Sequence, residues 1–101
     1  MFFRDNQTNI RNDGEYMVKG YVLIETDVAS AKAVGIELSK LLQKTTEITS
    51  VDTVTGPFDV VVQIEAIDLD TLGNFITDKI QTVDGVQRTT TCLAVRLSRS
   101  K

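Results

Sequence analysis

At 101 residues the chain has the common size of a single domain, which leaves no room for a second one. Its 42% hydrophobic and 25% charged residues exclude disorder of the whole chain, and a net charge of -3 supplies no bulk positive field toward nucleic acid or an anionic membrane. The chain has no histidine, so the commonest general base near neutral pH and the commonest transition-metal ligand are missing, and neither metal nor cofactor is expected.

No apolar run approaches the ~20 residues that span a bilayer, and no signal-peptide pattern opens the chain. The single Cys92 forms no internal disulfide. Together these features lead to a cytoplasmic expectation.

Residues 1–16 mix Asn, Gln, Asp, Arg and Gly, with only Phe2, Phe3 and Ile10 as large apolar residues, and read as a flexible arm. The other reading has Phe2 and Phe3 docking on a neighbouring subunit. Met17 to Glu25, rich in Val, Ile, Leu and Tyr, is a strand with two largely apolar faces.

Ala31, Val34, Leu38, Leu41 and Leu42 then recur at helical spacing. They predict a helix over about Ser30 to Gln43, with Asp27 or Ser30 at its start. Ile48 to Thr55 and Asp59 to Ala66 are β-formers around Gly56-Pro57, and predict a hairpin.

Asp68 offers an N-cap to a second helix lined by Leu69, Leu72, Phe75, Ile76 and Ile80. Asp84-Gly85 turns the chain into a last strand from Val86 to Leu97. The domain closes at about residue 98, with 99–101 as a tail.

Strand, helix, strand, strand, helix, strand is the order of a ferredoxin-like α+β fold. Right-handed crossovers place both helices on one face of a four-stranded antiparallel sheet. The other face is left bare, and Tyr21, Leu23, Leu93 and Val95, or their alternates in a shifted register, would form an apolar patch on it. A second copy packed face to face covers such a patch, so a homodimer is expected.

Thr55-Gly56-Pro57-Phe58-Asp59, followed by Val60-Val61-Val62, resembles the Gly-x-x-Asp hairpin of the Lrp/AsnC effector domain. Asp84-Gly85-Val86 and the later Arg88-Thr89-Thr90-Thr91 are similar to that family's Gly-Val turn and Thr-rich last strand. The similarity runs from about Val18 to Arg96. It implies dimers that associate into rings of eight or ten chains and bind amino acids between dimers. Full regulators of the family carry a helix-turn-helix domain before this module, which residues 1–16 are too short and too polar to supply. The expectation is therefore a stand-alone effector module, without direct nucleic-acid or membrane binding, that also has a full-length regulator as a possible partner.

Ligand-binding residues are expected at Thr53, Thr55, Gly56, Pro57, Phe58 and Asp59 in the hairpin, and at Thr89, Thr90 and Thr91 in the last strand. Gly56 lets a ligand approach backbone N–H groups able to hold a carboxylate, and Asp59 can accept from an α-ammonium group. The competing reading makes Gly56 a turn residue with positive φ and Asp59 a cap of that turn. Each threonine likewise either offers a hydroxyl or packs on a solvated strand face. Cys92, in an apolar strand, reads as an inert core thiol, since no histidine is present to activate it.

Other functions fit less well. A dimeric α+β barrel enzyme would have only Asp59 or Tyr21 as proton carrier, so no catalytic residue is assigned. RNA binding needs aromatic residues on both central strands, and Tyr21 stands alone there. An ACT-type amino-acid module shares the topology but places its ligand at another interface. An adaptor that joins full-length regulators without a ligand is compatible with the same residues.

Overall fold

The computed structural model describes residues 17–95, so the readings of the arm at 1–16 and of the C-terminal residues from 96 onward lie outside the described residues. The elements are β1 (Val18–Thr26), α1 (Ala31–Lys44), β2 (Ile48–Thr53), β3 (Val60–Ala66), α2 (Leu69–Phe75), a π-turn (Ile76–Ile80) and β4 (Val86–Leu93). All strand pairs are antiparallel, in the order β2-β3-β1-β4. This is the expected ferredoxin-like α+β fold.

Strand alternation builds the core. Val22 and Ile24 of β1 pair with Val62 and Val60 of β3, and with Ile64 these side chains are fully buried on one face. Val34 and Leu38 of α1, Leu72 and Phe75 of α2, and Ile76 and Ile80 of the π-turn close over them. Burying each such side chain contributes roughly 1.5–3 kcal/mol, which outweighs the modest helix propensity of Val and Ile. Gly35 allows α1 to settle close to β2, because a Cβ at that position would lie 2.8 Å from the Thr53 hydroxyl.

The second helix starts as expected, with the Asp68 carboxylate accepting the Thr71 N–H at 2.8 Å. It ends differently. Gln81 N–H donates to the Ile76 carbonyl at 2.8 Å, a five-residue step that widens the last turn. Leu69 does not line the core, since it precedes the buried turn and remains exposed. Ser30 stands at the start of α1 without a side-chain cap; its N–H donates instead to the Asp27 carbonyl at 2.9 Å.

The bare face is narrower than the sequence predicts. Tyr21 and Leu23 lie on it with Val61, flanked by Lys19, Glu25, Gln63, Glu65, Arg88 and Thr90, and by Cys92, which is exposed and not the core thiol expected, because its pairing with Tyr21 turns it away from the helices. Leu93 pairs with Gly20, and its methyl closes over that glycine beside Leu72, so it belongs to the helix-bearing face. Val95 follows the end of β4 and is exposed. The cause is register: Glu25 pairs with Arg88 but Thr26 with Val86, and that irregularity decides which β4 residues face which side.

Candidate functional site

The β2–β3 hairpin sits at the end of the sheet where β1 leaves for α1. Its loop is closed by Val54 N–H donating to the Asp59 carbonyl at 2.9 Å. Thr55, Gly56 and Pro57 are exposed, and Phe58 and Asp59 are half-buried. Gly56 has φ of 134°, a conformation that favours glycine, and no atom lies within 4 Å of where its Cβ would stand. The peptide groups at Gly56 are thus open to an approaching molecule.

Asp59 holds the base of this loop on β1. Its N–H donates to the Ile24 carbonyl at 2.8 Å, and Oδ2 accepts from the Thr26 N–H at 2.9 Å and the Thr26 hydroxyl at 3.2 Å. The side chain of Asp59 thus clasps β1, and none of its hydrogen bonds among the described residues reaches the Gly56 turn that the competing reading had it cap. No hydrogen bond among the described residues engages Oδ1, which leaves acceptor capacity on the same carboxylate.

The three threonines of β4 are not one group. Thr89 and Thr91 pair with Ile24 and Val22 and stand on the helix-bearing face, whereas Thr90 pairs with Leu23 on the bare face. Thr89 lies in the row of Ile24 and Val60, so the root of the hairpin and Thr89 share one end of the sheet, with β1 between them. Two inter-strand spacings separate those rows, roughly 9.5 Å. The Thr89 hydroxyl is already engaged, accepting from Gln81 Nε2 at 2.9 Å.

Thr53 stands apart from the loop, on the α1 side of β2. It lines a groove of about 690 Å³ with Ala31, Gly35, Ile36 and Val51. Two residues that organise the site escaped the sequence reading, Thr26 and Gln81. Thr26 reaches Asp59 across 33 positions, and nothing in a string signals that pairing. Gln81 reaches Thr89 through the π-turn, which has no sequence signature comparable to a cap or a Gly-Pro turn.

Among the described residues no group of three or more His, Cys, Asp or Glu could hold a metal ion, and no helix is long and apolar enough to cross a membrane.

The architecture defines a ferredoxin-like module, and comparison with known proteins assigns its family. The Lrp/AsnC ligand binding domain profile matches residues 19–99, and the chain belongs to that family. An uncharacterised HTH-type transcriptional regulator of Pyrococcus abyssi is 29% identical over 84 residues, covering 83% of this chain and 51% of its own. The chain thus spans about half the length of the curated relatives it matches.

Among solved structures, TTHA0845 from Thermus thermophilus is 29% identical with a TM-score of 0.69, and 82% of this chain covers 99% of that one. AsnC of E. coli is 26% identical with a TM-score of 0.66, covering 83% and 54%. The regulator NMB0573 of Neisseria meningitidis, solved as an L-Met complex, has a TM-score of 0.67 and covers 82% and 53%. At 18% identity that last likeness shows the fold alone.

Proposed function

We propose that this chain is a small-molecule binding and self-assembly module whose ligand is an amino acid held at the β2–β3 hairpin. The observation that carries the reading is the pairing of the open Gly56 backbone with an Asp59 carboxylate fixed at the loop's base. A free amino acid carries one negative and one positive group a few ångström apart. Backbone N–H groups around Gly56 suit the carboxylate, and Asp59 Oδ1 suits the ammonium. Thr55 and Phe58 border the same loop. Thr89 lies two strand spacings away, and its hydroxyl, while accepting from Gln81, keeps its own proton to donate to a ligand long enough to reach it. Thr90 and Thr91, on opposite faces, are secondary in this reading.

Assembly completes the proposal. Tyr21, Leu23 and Val61 give the bare sheet face an apolar centre with a charged rim, the pattern of an interface core and its surround. A second copy packed there forms the dimer, and a further chain beside the hairpin covers the exposed side of the ligand. The relatives' description as transcriptional regulators, and the L-Met complex of a protein of the same fold, support a sensing role and not a catalytic one. Assembly with a full-length regulator and a cytoplasmic setting follow from the same reading.

A thermal-shift screen of the pure protein against the twenty amino acids tests this. The reading expects a selective rise with one or a few of them, since a ligand at 100 times its dissociation constant adds about 2.7 kcal/mol. A flat response across the panel would remove the amino-acid reading and leave the adaptor.

A further inference from the structure

We infer that residues 2–11 of this chain dock on an apolar corner of their own domain where β1 begins, with Phe2, Phe3 and Ile10 seated against Leu69, Leu93 and Val95. This contact stands apart from the ligand reading, because the corner lies at the start of β1 and the hairpin at its end. The nine residues of that strand separate them by roughly 26 Å.

Four of the six large hydrophobic side chains that stand exposed among the described residues gather at this corner: Ile67, Leu69, Leu93 and Val95. Backbone pairing brings them together. Ala94 N–H donates to the Lys19 carbonyl at 2.8 Å, which sets the end of β4 beside the start of β1, and Val18 pairs with Ala66 at the end of β3. Leu72 links the second helix to these strands, because a Cβ at Gly20 would meet one of its methyls at 3.6 Å and one of Leu93 at 3.5 Å. Leu69 lies one turn before Leu72 on the same side of α2. An apolar trough thus runs from Leu69 over Leu72 to Leu93 on the helix-bearing side of the sheet. A copy packed on the bare face leaves it uncovered.

The sequence before β1 supplies a matching cover. Residues 1–16 lead directly into the corner, and Asp13-Gly14 is a turn sequence that reverses the chain just ahead of Val18. A reversal there sends residues 2–11 back over the end of the domain. Charge matches as well: Arg4 follows Phe2-Phe3 and Arg11 follows Ile10, while Asp68 and Asp70 flank Leu69 and are exposed. Each apolar anchor therefore carries a base to an acidic rim.

Reach and tethering favour the chain's own corner over a neighbour's. The stretch from Phe3 to Met17 spans up to roughly 50 Å when extended, so Leu69 is within range. Tethered in this way the anchors act at an effective concentration of about the millimolar range. The residues after Val95 are also basic, with Arg96, Arg99 and Lys101, but they offer only Leu97 as an apolar anchor.

Methyl-resolved NMR of the full chain tests the docking, because an aromatic ring seated on a methyl displaces its resonance. Compared with Phe2→Ser/Phe3→Ser, the wild type is expected to show displaced methyls at Leu69, Leu93 and Val95, with those of Val34 and Leu38 unchanged. Trypsin cleavage after Arg11 is expected to be at least about tenfold faster in that variant, and in Leu69→Ser, than in the wild type. The double variant alters only residues that precede the domain, so it decides the matter even if Leu69→Ser fails to fold. Identical methyl resonances, or equal cleavage rates in the wild type and the double variant, overturn the docking. Isotope-labelled Phe2→Ser/Phe3→Ser refolded from urea together with unlabelled wild type separates the two possible hosts. Labelled methyls that keep their positions support docking within one chain, whereas displaced ones assign the contact to a second copy and overturn it.

Discussion

The Asp59 carboxylate grips Thr26 twice through one oxygen, accepting its backbone N–H at 2.9 Å and its hydroxyl at 3.2 Å. That clasp ties the hairpin to the end of the central strand. Asp59→Ala is expected to destabilise the fold by about 1–3 kcal/mol, because a half-buried backbone N–H and a hydroxyl lose their shared acceptor. Thr26→Val removes the hydroxyl alone and is expected to cost less, about 1 kcal/mol. Urea unfolding of both single variants and the double variant measures the pair; the double variant should cost less than the sum of the two.

Two helical glycines should respond with opposite signs. Gly35→Ala forces a methyl to 2.8 Å from the Thr53 hydroxyl where α1 lies on β2, and is expected to cost about 1–3 kcal/mol. Gly73→Ala meets nothing within 4 Å on the exposed side of α2 and is expected to stabilise by up to about 1 kcal/mol. Thermal unfolding reads both directly.

Asp68 gives a pH signature. The Thr71 hydroxyl and backbone N–H hold its carboxyl below the usual carboxylate value of 3.8. A carboxyl lowered in the folded state contributes stability that is present above about pH 4 and lost as pH falls through the folded value. The Tm difference between wild type and Asp68→Asn, measured in about 0.1 M salt, is expected to be constant from about pH 5 to 8 and to shrink below about pH 4.

Leu23 stands at the centre of the bare face, between Val61 and Thr90. In a face-to-face dimer Leu23→Glu buries an unpaired charge, a cost of about 3–5 kcal/mol, or roughly two to four orders of magnitude in the dissociation constant. Sedimentation velocity is expected to show a monomer at concentrations where the wild type is a dimer.

How far the fold could be read in advance follows from which signals are local. The periodicity of Val22, Ile24, Val60, Val62 and Ile64, the Asp68 cap and the Gly56-Pro57 break all act over a few residues, and they gave the element order and the topology. The misplaced residues depend on distant partners. Strand alternation alone leaves the register of Leu93 against β1 open, and its pairing with Gly20 puts it on the helix-bearing face. The site divides likewise. Gly56 and Asp59 were legible as turn residues, whereas the partners Thr26 and Gln81 depend on tertiary placement. The three threonines look like one cluster in the string, but a strand sends neighbours to opposite faces.

The most direct measurement of the proposed activity is hydrogen–deuterium exchange of the wild-type protein with and without whichever amino acid raises its thermal stability most. Saturating ligand is expected to slow exchange across Thr55–Asp59 by about tenfold or more, with a smaller effect near Thr89. Protection confined to other elements, with the hairpin unchanged, would contradict a ligand site at Gly56 and Asp59.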